Sequence, residues 1–194
     1  MAPITPTPGQ RRLLERHLDE LEVWNRRLNL TAVPRDRAWD RHVVETLGLL
    51  DAAALPVGAD VVDIGSGGGI PGLVIAVVRP DLAVTLVEAD RRKAGFLIHV
   101  AGLLELANVT VAARRAEEMG RDGEHHARHD VVVSRATAPP ILLVELAMPL
   151  LKPAGRLWAL VGDAAAAEVA VGRRDGVRAW AATPGILAVE RSAG

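Results

Sequence analysis

A glycine-rich stretch is the part of the chain best suited to bind a ligand. It runs Val61-Val62-Asp63-Ile64-Gly65-Ser66-Gly67-Gly68-Gly69-Ile70-Pro71-Gly72, with five glycines after an apolar and acidic segment. Glycines let the backbone turn sharply and approach a ligand closely. The free N–H groups at the start of a following helix can donate hydrogen bonds to that ligand. The stretch therefore predicts a strand, a tight turn and a helix N-terminus around a nucleotide-like ligand.

Two cofactors fit this loop. The segment from Gly67 to Gly72 matches the G-x-G-x-x-G dinucleotide pattern, with Glu88 about 20 residues further on. The segment from Asp63 to Gly69 also matches the (D/E)-x-G-x-G-x-G loop that methyltransferases place around S-adenosylmethionine. In either case Glu88 would accept hydrogen bonds from the ribose hydroxyls. The motif alone predicts a ribose-containing cofactor and does not separate NAD from S-adenosylmethionine.

Three features favour S-adenosylmethionine. Asp63 precedes the first glycine, where a carboxylate suits the cationic amino-acid and sulfonium end of that cofactor and would repel a pyrophosphate. The loop contains no Lys or Arg that could offset the charge of phosphates. The predicted sheet uses nearly the whole chain, which leaves no separate substrate domain of the kind that dehydrogenases carry. An NAD-dependent oxidoreductase is the alternative.

Alternating strands and helices must position this loop. Apolar runs predict strands at 60–64, 83–87, 109–112, 130–134 and 156–161, and helices at 71–78, 91–106, 140–151 and 164–171. Such alternation indicates βαβ units and a mostly parallel sheet. Two short strands at 177–182 and 186–189, joined at Pro184-Gly185, predict a closing hairpin. The fold class is therefore α/β, with helices on both faces of a twisted sheet.

The first third of the chain is predicted to be helical. Thr7, Pro8 and Gln10 form the pattern of a capping box with proline at the first helical position. A second helix is predicted over 36–54, where Pro56 and Gly58 follow it. We therefore expect an N-terminal helical extension at residues 1–58 and a Rossmann-like core at residues 59–194.

Composition excludes several classes of site. The 194 residues include no cysteine, which excludes disulfides, thiolate metal sites and cysteine nucleophiles. No apolar run is long enough to span a bilayer, so we expect a cytoplasmic monomer without a membrane partner. The net charge of −1 limits any nucleic-acid contact to a local patch. His125, His126 and His129 resemble metal ligands in spacing, but we expect them to be loop residues and predict no metal.

Outside the glycine loop, three segments bear on the family, and the first and the last of them are much more particular than the loop. They are Trp24-Asn25-Arg26-Arg27-Leu28-Asn29-Leu30-Thr31, Arg41-His42-Val43-Val44-Glu45-Thr46 and Ser134-Arg135-Ala136. In this order, and over roughly residues 20 to 162, the chain resembles the glucose-inhibited division protein B family. Members of that family are methyltransferases that act on guanine N7 of small-subunit (16S) ribosomal RNA.

The resemblance implies a class I S-adenosylmethionine-dependent methyltransferase fold and assigns residues to its site. The resemblance implies that Gly65 and Ile70 bind the methionine and ribose part of the cofactor and that Glu88 binds the ribose. Ala116 and Glu117 would flank the adenine, and Arg135 would reach the site from the end of the fourth strand. The loop residues Asp63, Gly67 and Gly69 complete the predicted cofactor-binding set. The implied partner is small-subunit ribosomal RNA or the 30S subunit.

The chemistry that the resemblance implies needs no general base, because guanine N7 has an in-plane lone pair and no proton to lose. Positioning would supply most of the rate enhancement. Arg135 is the candidate catalytic residue, since it could orient the O6 and N7 acceptors of guanine or a neighbouring phosphate. The candidate substrate-binding residues are Asn29, Arg41, His42 and Arg115, each of which could equally be a helix cap or a solvated residue.

Two further observations bear on RNA and on activity. Three clusters of basic residues could form a phosphate-binding track, or they could be solvated helix faces. They are Arg26-Arg27, Arg91-Arg92-Lys93 and Arg114-Arg115. Val161 stands where members of the family carry a lysine before a glycine. A relative that binds cofactor or RNA but has lost catalysis is therefore a third hypothesis.

Overall fold

A seven-stranded sheet organises the molecule, and the computed structural model describes it through residues 3–135, 138–172 and 176–192. The strands are β1 (Asp60–Ile64), β2 (Ala83–Val87), β3 (Val109–Ala112), β4 (His129–Arg135), β5 (Leu151–Leu160), β6 (Val177–Thr183) and β7 (Ile186–Arg191). Their spatial order is β3-β2-β1-β4-β5-β7-β6. The first five are parallel, and β7 is antiparallel to both of its neighbours.

Helices cover both faces of this sheet. They are α1 (Pro8–Leu28), α2 (Arg35–Ala38), α3 (Glu45–Ala53), α4 (Gly72–Val78), α5 (Arg91–Leu103), α6 (Ala116–Arg121), α7 (Pro140–Ala147) and α8 (Ala164–Val171), and the π-helical segment Trp39–Val44 joins α2 to α3. The Thr7–Gln10 capping box starts α1 as predicted. Asp90 and Asp163 cap α5 and α8 by accepting hydrogen bonds from backbone N–H groups of the first turn.

Burial on both faces explains why the parallel strands are apolar. Along β1, Val61 packs into the core beneath α1, α4 and α5, whereas Val62 packs into the core beneath α6, α7 and α8. Neighbouring strand residues point to opposite faces, so one short apolar strand serves both cores. The order of the strands reverses between β1 and β4, and open α/β sheets bind ligands at the carboxyl ends of strands flanking such a point.

The N-terminal helices share a core with the sheet. Leu14, Leu18 and Leu21 of α1 are at most 2% exposed and belong to the same cluster as Phe96 of α5. The predicted boundary between residues 58 and 59 falls in the connection from α3 to β1. The helical extension therefore covers one face of the sheet and lies close to the glycine-rich turn.

The predicted α/β class and parallel strands are confirmed, and β1, β2 and β3 have the predicted bounds. The helix predicted over 140–151 ends earlier, at Ala147, because Leu151 already pairs with His129 at the start of β5. The short helix α6 was not predicted. Within the described part of the chain, no helix is both long and apolar enough to cross a membrane.

Three of the five glycines in the loop are required by packing. A Cβ atom added to Gly68 would lie 2.7 Å from a Leu21 methyl, and one added to Gly69 would lie 2.4 Å from a Leu73 methyl. A Cβ on Gly72 would lie 2.3 Å from Leu86 and 2.6 Å from the Asp63 carboxylate. These glycines let α1, α4 and β2 approach the turn closely.

Replacing Gly72 with alanine should lower the free energy of unfolding by about 1–3 kcal/mol, because the added methyl group overpacks a closed site. Urea unfolding followed by circular dichroism measures this loss. Gly95→Ala is the matched control: no atom lies within 4 Å of its added Cβ, and Gly95 lies inside α5. The free energy of unfolding of that variant should rise by about 0.5–1 kcal/mol, because glycine inside a helix is less stable than alanine. Equal effects of both variants would contradict the packing explanation.

Candidate cofactor and substrate site

A cavity of about 500 Å³ opens at the carboxyl ends of β1, β2 and β4. Its volume lies within the range of small-molecule sites. Its walls come from Leu30, Ile64, Gly65, Gly67, Val87, Glu88, Ala89, Lys93, Arg114, Arg115, Ala116, Glu117, Arg135, Ala138, Leu142 and Leu146. Six of the predicted cofactor residues meet here, namely Gly65, Gly67, Glu88, Ala116, Glu117 and Arg135. The cavity is the candidate cofactor site.

The remaining two glycines of the loop face this cavity. Gly65 and Gly67 have φ values of 68° and 49°, a left-handed conformation that glycine adopts without strain. A Cβ on Gly67 would meet only the Gly65 carbonyl oxygen, at 3.8 Å, so a side chain there would extend into open space. Gly69 and Ile70 do not line the cavity; Ile70 is 8% exposed and packs in the core.

Glu88 is held in place at the end of β2. Its Oε2 accepts a hydrogen bond from the Gly67 N–H at 2.9 Å, and its Oε1 accepts one from the Asp90 N–H at 2.8 Å. A carboxylate offers about four acceptor positions, so two backbone donors leave acceptors for a ligand. A fixed carboxylate on the cavity wall fits the paired hydroxyls of a ribose.

Asp63 lies beneath the loop. It is fully buried, and its Oδ2 accepts a hydrogen bond from the Gly72 N–H at 3.0 Å, which ties α4 to β1. Its Oδ1 is buried without a hydrogen-bond partner among the residues that the structure describes. Burial raises the pKa of this carboxyl to about 7, against the opposing effect of the Gly72 hydrogen bond. The contact of Asp63 with the cofactor stays a prediction.

One part of the cavity wall carries basic side chains, although the glycine-rich loop itself contains no Lys or Arg. Lys93 and Arg114 lie on the wall beside Arg115, although neither was predicted to bind the cofactor. Arg114 pairs with Asp122 at 2.9 Å, whereas Arg115 is exposed at the N-terminus of α6. The position of Lys93 in the first turn of α5, directly after β2, was the signal available in the sequence, because that turn adjoins the carboxyl edge of the sheet.

Arg135 connects the sheet to the N-terminal helices. Its Nη1 donates to the Arg41 carbonyl oxygen and, at 2.7 Å, to His42 Nδ1. His42 Nε2 lies 3.1 Å from Thr31 Oγ1. Because Nδ1 accepts from the guanidinium, the proton of the neutral imidazole lies on Nε2 and faces Thr31. Burial, followed by the charge of Arg135, lowers the pKa of His42 to about 4.

Asn25, which was not predicted as a site residue, holds the segment after α1. Its Oδ1 accepts from the backbone N–H groups of Leu30 and Thr31 at 2.6 and 2.9 Å, and its Nδ2 donates to the Thr31 carbonyl oxygen at 2.8 Å. Leu30 thereby reaches the cavity wall. Asn29 is the exposed C-cap of α1 with a φ of 49°, and its contact with substrate stays a prediction.

A second cavity of about 530 Å³ lies on the other side of Arg135. Arg41, Glu45 and Gly48 line it from the helical side. The ends of β5 and of the β6–β7 hairpin line it through Leu160, Val161, Gly162, Thr183, Gly185 and Ile186. Arg135 therefore lines both cavities. Ala136, the last residue of the segment that begins at Ser134, lies outside the described residues.

His125 and His126 lie before β4, whereas His129 is its first residue and not a loop residue as predicted, and the three rings have different partners. His126 Nδ1 lies 2.9 Å from the Gly120 carbonyl oxygen, and His129 Nδ1 lies 2.9 Å from Asp60. His125 instead comes within 4.8 Å of carboxylate oxygens of Asp122 and Glu124. Glu124 is exposed and the other two residues are half-buried, and exposed acidic groups are common without an ion.

Solved structures share the fold. A precorrin-6y C5,15-methyltransferase from Geobacter metallireducens aligns with a TM-score of 0.54 and 13% identity, over 76% of this chain and 87% of that one. A candidate S-adenosyl-L-methionine-dependent methyltransferase from Methanococcus maripaludis aligns with a TM-score of 0.62 and 9% identity, over 93% and 94% of the two chains. At such identities the likeness shows the class I methyltransferase fold alone.

Sequence relatives show the family. The family described as GidB, rRNA small subunit methyltransferase G, matches residues 10–179. Proteins named ribosomal RNA small subunit methyltransferase G are similar to this chain. That of Sorangium cellulosum is 42% identical, over 79% of this chain and 65% of the relative. That of Chloroflexus aggregans is 45% identical, over 82% of this chain and 67% of the relative. The chain spans about two thirds of the length of these relatives. It belongs to the GidB family.

Proposed function

We propose that this protein transfers a methyl group from S-adenosylmethionine to N7 of a guanine in small-subunit ribosomal RNA. The observation that carries the proposal is the glycine-lined cavity with Glu88 on its wall, in a chain of the GidB family. Arg135 lines both this cavity and the second one. The names of the relatives support the RNA substrate. The proposal includes a cytoplasmic location, where small ribosomal subunits are found, and a monomer.

The residues of the first cavity fit S-adenosylmethionine. The open space beside Gly67 admits a ligand against the loop backbone, and Glu88 has acceptors for ribose hydroxyls. Ala116 and Glu117 would flank the adenine. Leu142 and Leu146 line the same cavity and would exclude water from it. Bound S-adenosylmethionine supplies an electrophilic methyl group on its sulfonium.

Arg135 would orient the substrate. Guanine N7 presents a lone pair and no proton, so the site needs alignment and not a base. His42 is consistent with this requirement, because its buried, neutral ring already accepts a hydrogen bond from Arg135 at Nδ1. Held in this way, the guanidinium can donate to the O6 acceptor of guanine, next to N7.

Unpaired cations beside the cofactor cavity support the RNA partner. The side chains of Arg91, Lys93 and Arg115 have no ion-pair or hydrogen-bond partner among the described residues. By contrast, Arg92 is paired with Asp90 at 3.0 Å. An unpaired cation at the mouth of a site can contact a phosphate without breaking an internal ion pair. These side chains are the proposed phosphate contacts.

Incubation of the protein with S-adenosylmethionine and small ribosomal subunits, or their naked RNA, tests the proposal. Mass spectrometry of the digested RNA should show 7-methylguanosine, and calorimetry should show binding of S-adenosylmethionine but not of NAD. Cofactor binding without methyl transfer to either substrate would contradict the proposal. It would favour the hypothesis, based on Val161, that this protein binds cofactor or RNA but has lost catalysis.

Replacing Glu88 with alanine should weaken S-adenosylmethionine binding roughly 10- to 100-fold, because the ribose loses its charged hydrogen-bond acceptor. Calorimetry measures the dissociation constant. Glu124→Ala is the matched control, since Glu124 is an exposed carboxylate outside the cavity and should leave binding unchanged. Unchanged affinity in Glu88→Ala would remove Glu88 from the cofactor site.

Replacing Arg91 and Arg115 together with alanine should reduce the salt dependence of RNA binding. Each lost phosphate contact lowers the slope of log K against log salt concentration by about 0.7–0.9, so the double variant should lose roughly 1.4–1.8 units. Filter binding at several salt concentrations measures this slope. A variant with Arg121→Ala and Arg128→Ala removes the same charge from the opposite edge of the sheet and should keep the wild-type slope.

The lowered pKa of His42 predicts a loss of stability in acid. Unfolded His42 binds a proton near pH 6.5 and folded His42 only near pH 4, so its contribution is complete above the unfolded pKa and falls as the pH falls between these values. His42→Asn, which keeps an acceptor for Arg135, should therefore lose less stability on acidification, by up to about 1.4 kcal/mol per pH unit. Urea titrations from about pH 6.5 to 4.5 measure both slopes.

Two other buried groups contribute to the absolute slope. The lowered pKa of His17 acts in the same direction as that of His42, and the raised pKa of Asp63 acts in the opposite direction. Both groups are present in wild type and variant, so the difference between the two curves reports mainly on His42. Parallel curves would show that His42 is not held neutral in the folded protein.

A further inference from the structure

The second cavity, between α3 and the end of β5, is not part of the proposed cofactor site. Its volume of about 530 Å³ exceeds the need of one purine base, and Leu160, Val161 and Ile186 give it apolar walls on which a base can pack. Arg41 and Glu45 line its helical side. It adjoins the cofactor cavity at Arg135, which lines both.

Glu45 carries acceptors at this cavity. One of its carboxylate oxygens lies 2.6 Å from Arg41 Nη1, and the other lies 3.4 Å from Arg135 Nη2. Its side chain is 31% exposed, so the carboxylate is open to the cavity. A carboxylate offers about four acceptor positions, and these two cations occupy two of them. Two acceptors therefore remain for a ligand.

The neighbouring charges of Arg135 and Glu45 match guanine and mismatch adenine. In guanine the O6 acceptor is followed around the ring by the N1–H donor and the N2 amino donor. In adenine the order is reversed, since a 6-amino donor is followed by the N1 acceptor. A guanidinium beside a carboxylate pairs with an acceptor beside donors. Adenine would place its amino group against the cation and its N1 lone pair against the carboxylate.

We propose that this second cavity receives the target guanine and that Glu45 selects it, by accepting hydrogen bonds from N1–H and from the N2 amino group. The inference rests on the proposed function and adds the residue that recognises the base. The base enters unstacked from its RNA neighbours, as bases do in enzymes that modify them. Contact of O6 with Arg135 turns the N7 edge towards the cofactor cavity, whereas Glu45 holds the opposite edge.

The test compares three RNA substrates. The guanosine that wild type methylates is mapped by mass spectrometry and then replaced, in otherwise identical RNA, by inosine or adenosine. Inosine keeps O6, N1–H and N7 and lacks only the 2-amino group. Wild type should methylate guanosine roughly 10- to 100-fold faster than inosine under single-turnover conditions, because one charge-assisted hydrogen bond is lost, and it should leave adenosine unmodified.

Glu45→Gln should bring the guanosine-to-inosine rate ratio close to one and should lower the guanosine rate roughly 10- to 100-fold. The ratio is internal to each variant, so a folding defect or a displaced Arg135 would slow both substrates and leave the wild-type ratio intact. Glu190→Gln removes an equivalent carboxylate that pairs with Arg156 at 2.7 Å, away from both cavities, and should keep the wild-type rates and ratio.

A wild-type ratio near one, or a Glu45→Gln variant that keeps the wild-type ratio, would overturn the assignment of Glu45 while leaving the proposed function in place. Absence of methyl transfer by wild type to any small-subunit RNA would overturn the proposed function, and the base pocket with it. The two failures are therefore distinguishable in one series of reactions.

Discussion

The hydrogen bond from Arg135 to His42 joins the two parts of the molecule that the site requires. Arg135 extends from the end of β4, and burial lowers the pKa of its guanidinium. A buried cation is costly unless nearby groups replace its hydration. Here the Arg41 carbonyl oxygen, the His42 ring and the Glu45 carboxylate replace it, and all three come from the N-terminal helices. Without those helices, Arg135 would lose these three partners at the point where the two cavities meet.

The glycine-rich loop shows how one motif serves packing and binding together. Gly68, Gly69 and Gly72 let helices and strands come into contact around the turn, whereas Gly65 and Gly67 line the cavity. Asp63 belongs with the first group, because its hydrogen bond to the Gly72 N–H lies inside the fold. The same sequence pattern therefore encodes a closely packed turn, and only Gly65 and Gly67 of its glycines line the proposed cofactor cavity.

Much of the fold could be predicted from sequence, because the central strands β1, β2 and β4 are short apolar runs that are mostly buried. The capping box at Thr7 and the strand from Asp60 to Ile64 are local signals, and both have the predicted bounds. The helix α6 was missed because it is only six residues long and lacks a side-chain cap. Local sequence also does not show whether Asp63 faces a ligand or the interior, since that depends on how closely α4 packs.

The candidate site was partly predictable for the same reason. Gly67 and Glu88 lie at the ends of neighbouring strands, so their convergence follows from a parallel sheet. The second cavity needed the structure, because it combines Glu45 from a helix with Val161 and Thr183 from the distant end of the chain. Asn25 was overlooked beside the more exposed Asn29, since sequence does not reveal which amide bonds to the backbone.

The separation of 93 positions in sequence between His42 and Arg135 also determines when the site can form during synthesis. The helices are made first, but His42 has no guanidinium to bind until β4 has left the ribosome. Contacts between such distant segments form slowly, because a long stretch of chain must be ordered before they are made. The polar network around His42 therefore closes late, when most of the sheet is present. A nascent or truncated chain that ends before β4 would have the cofactor loop and lack the centre at which cofactor and base are proposed to meet.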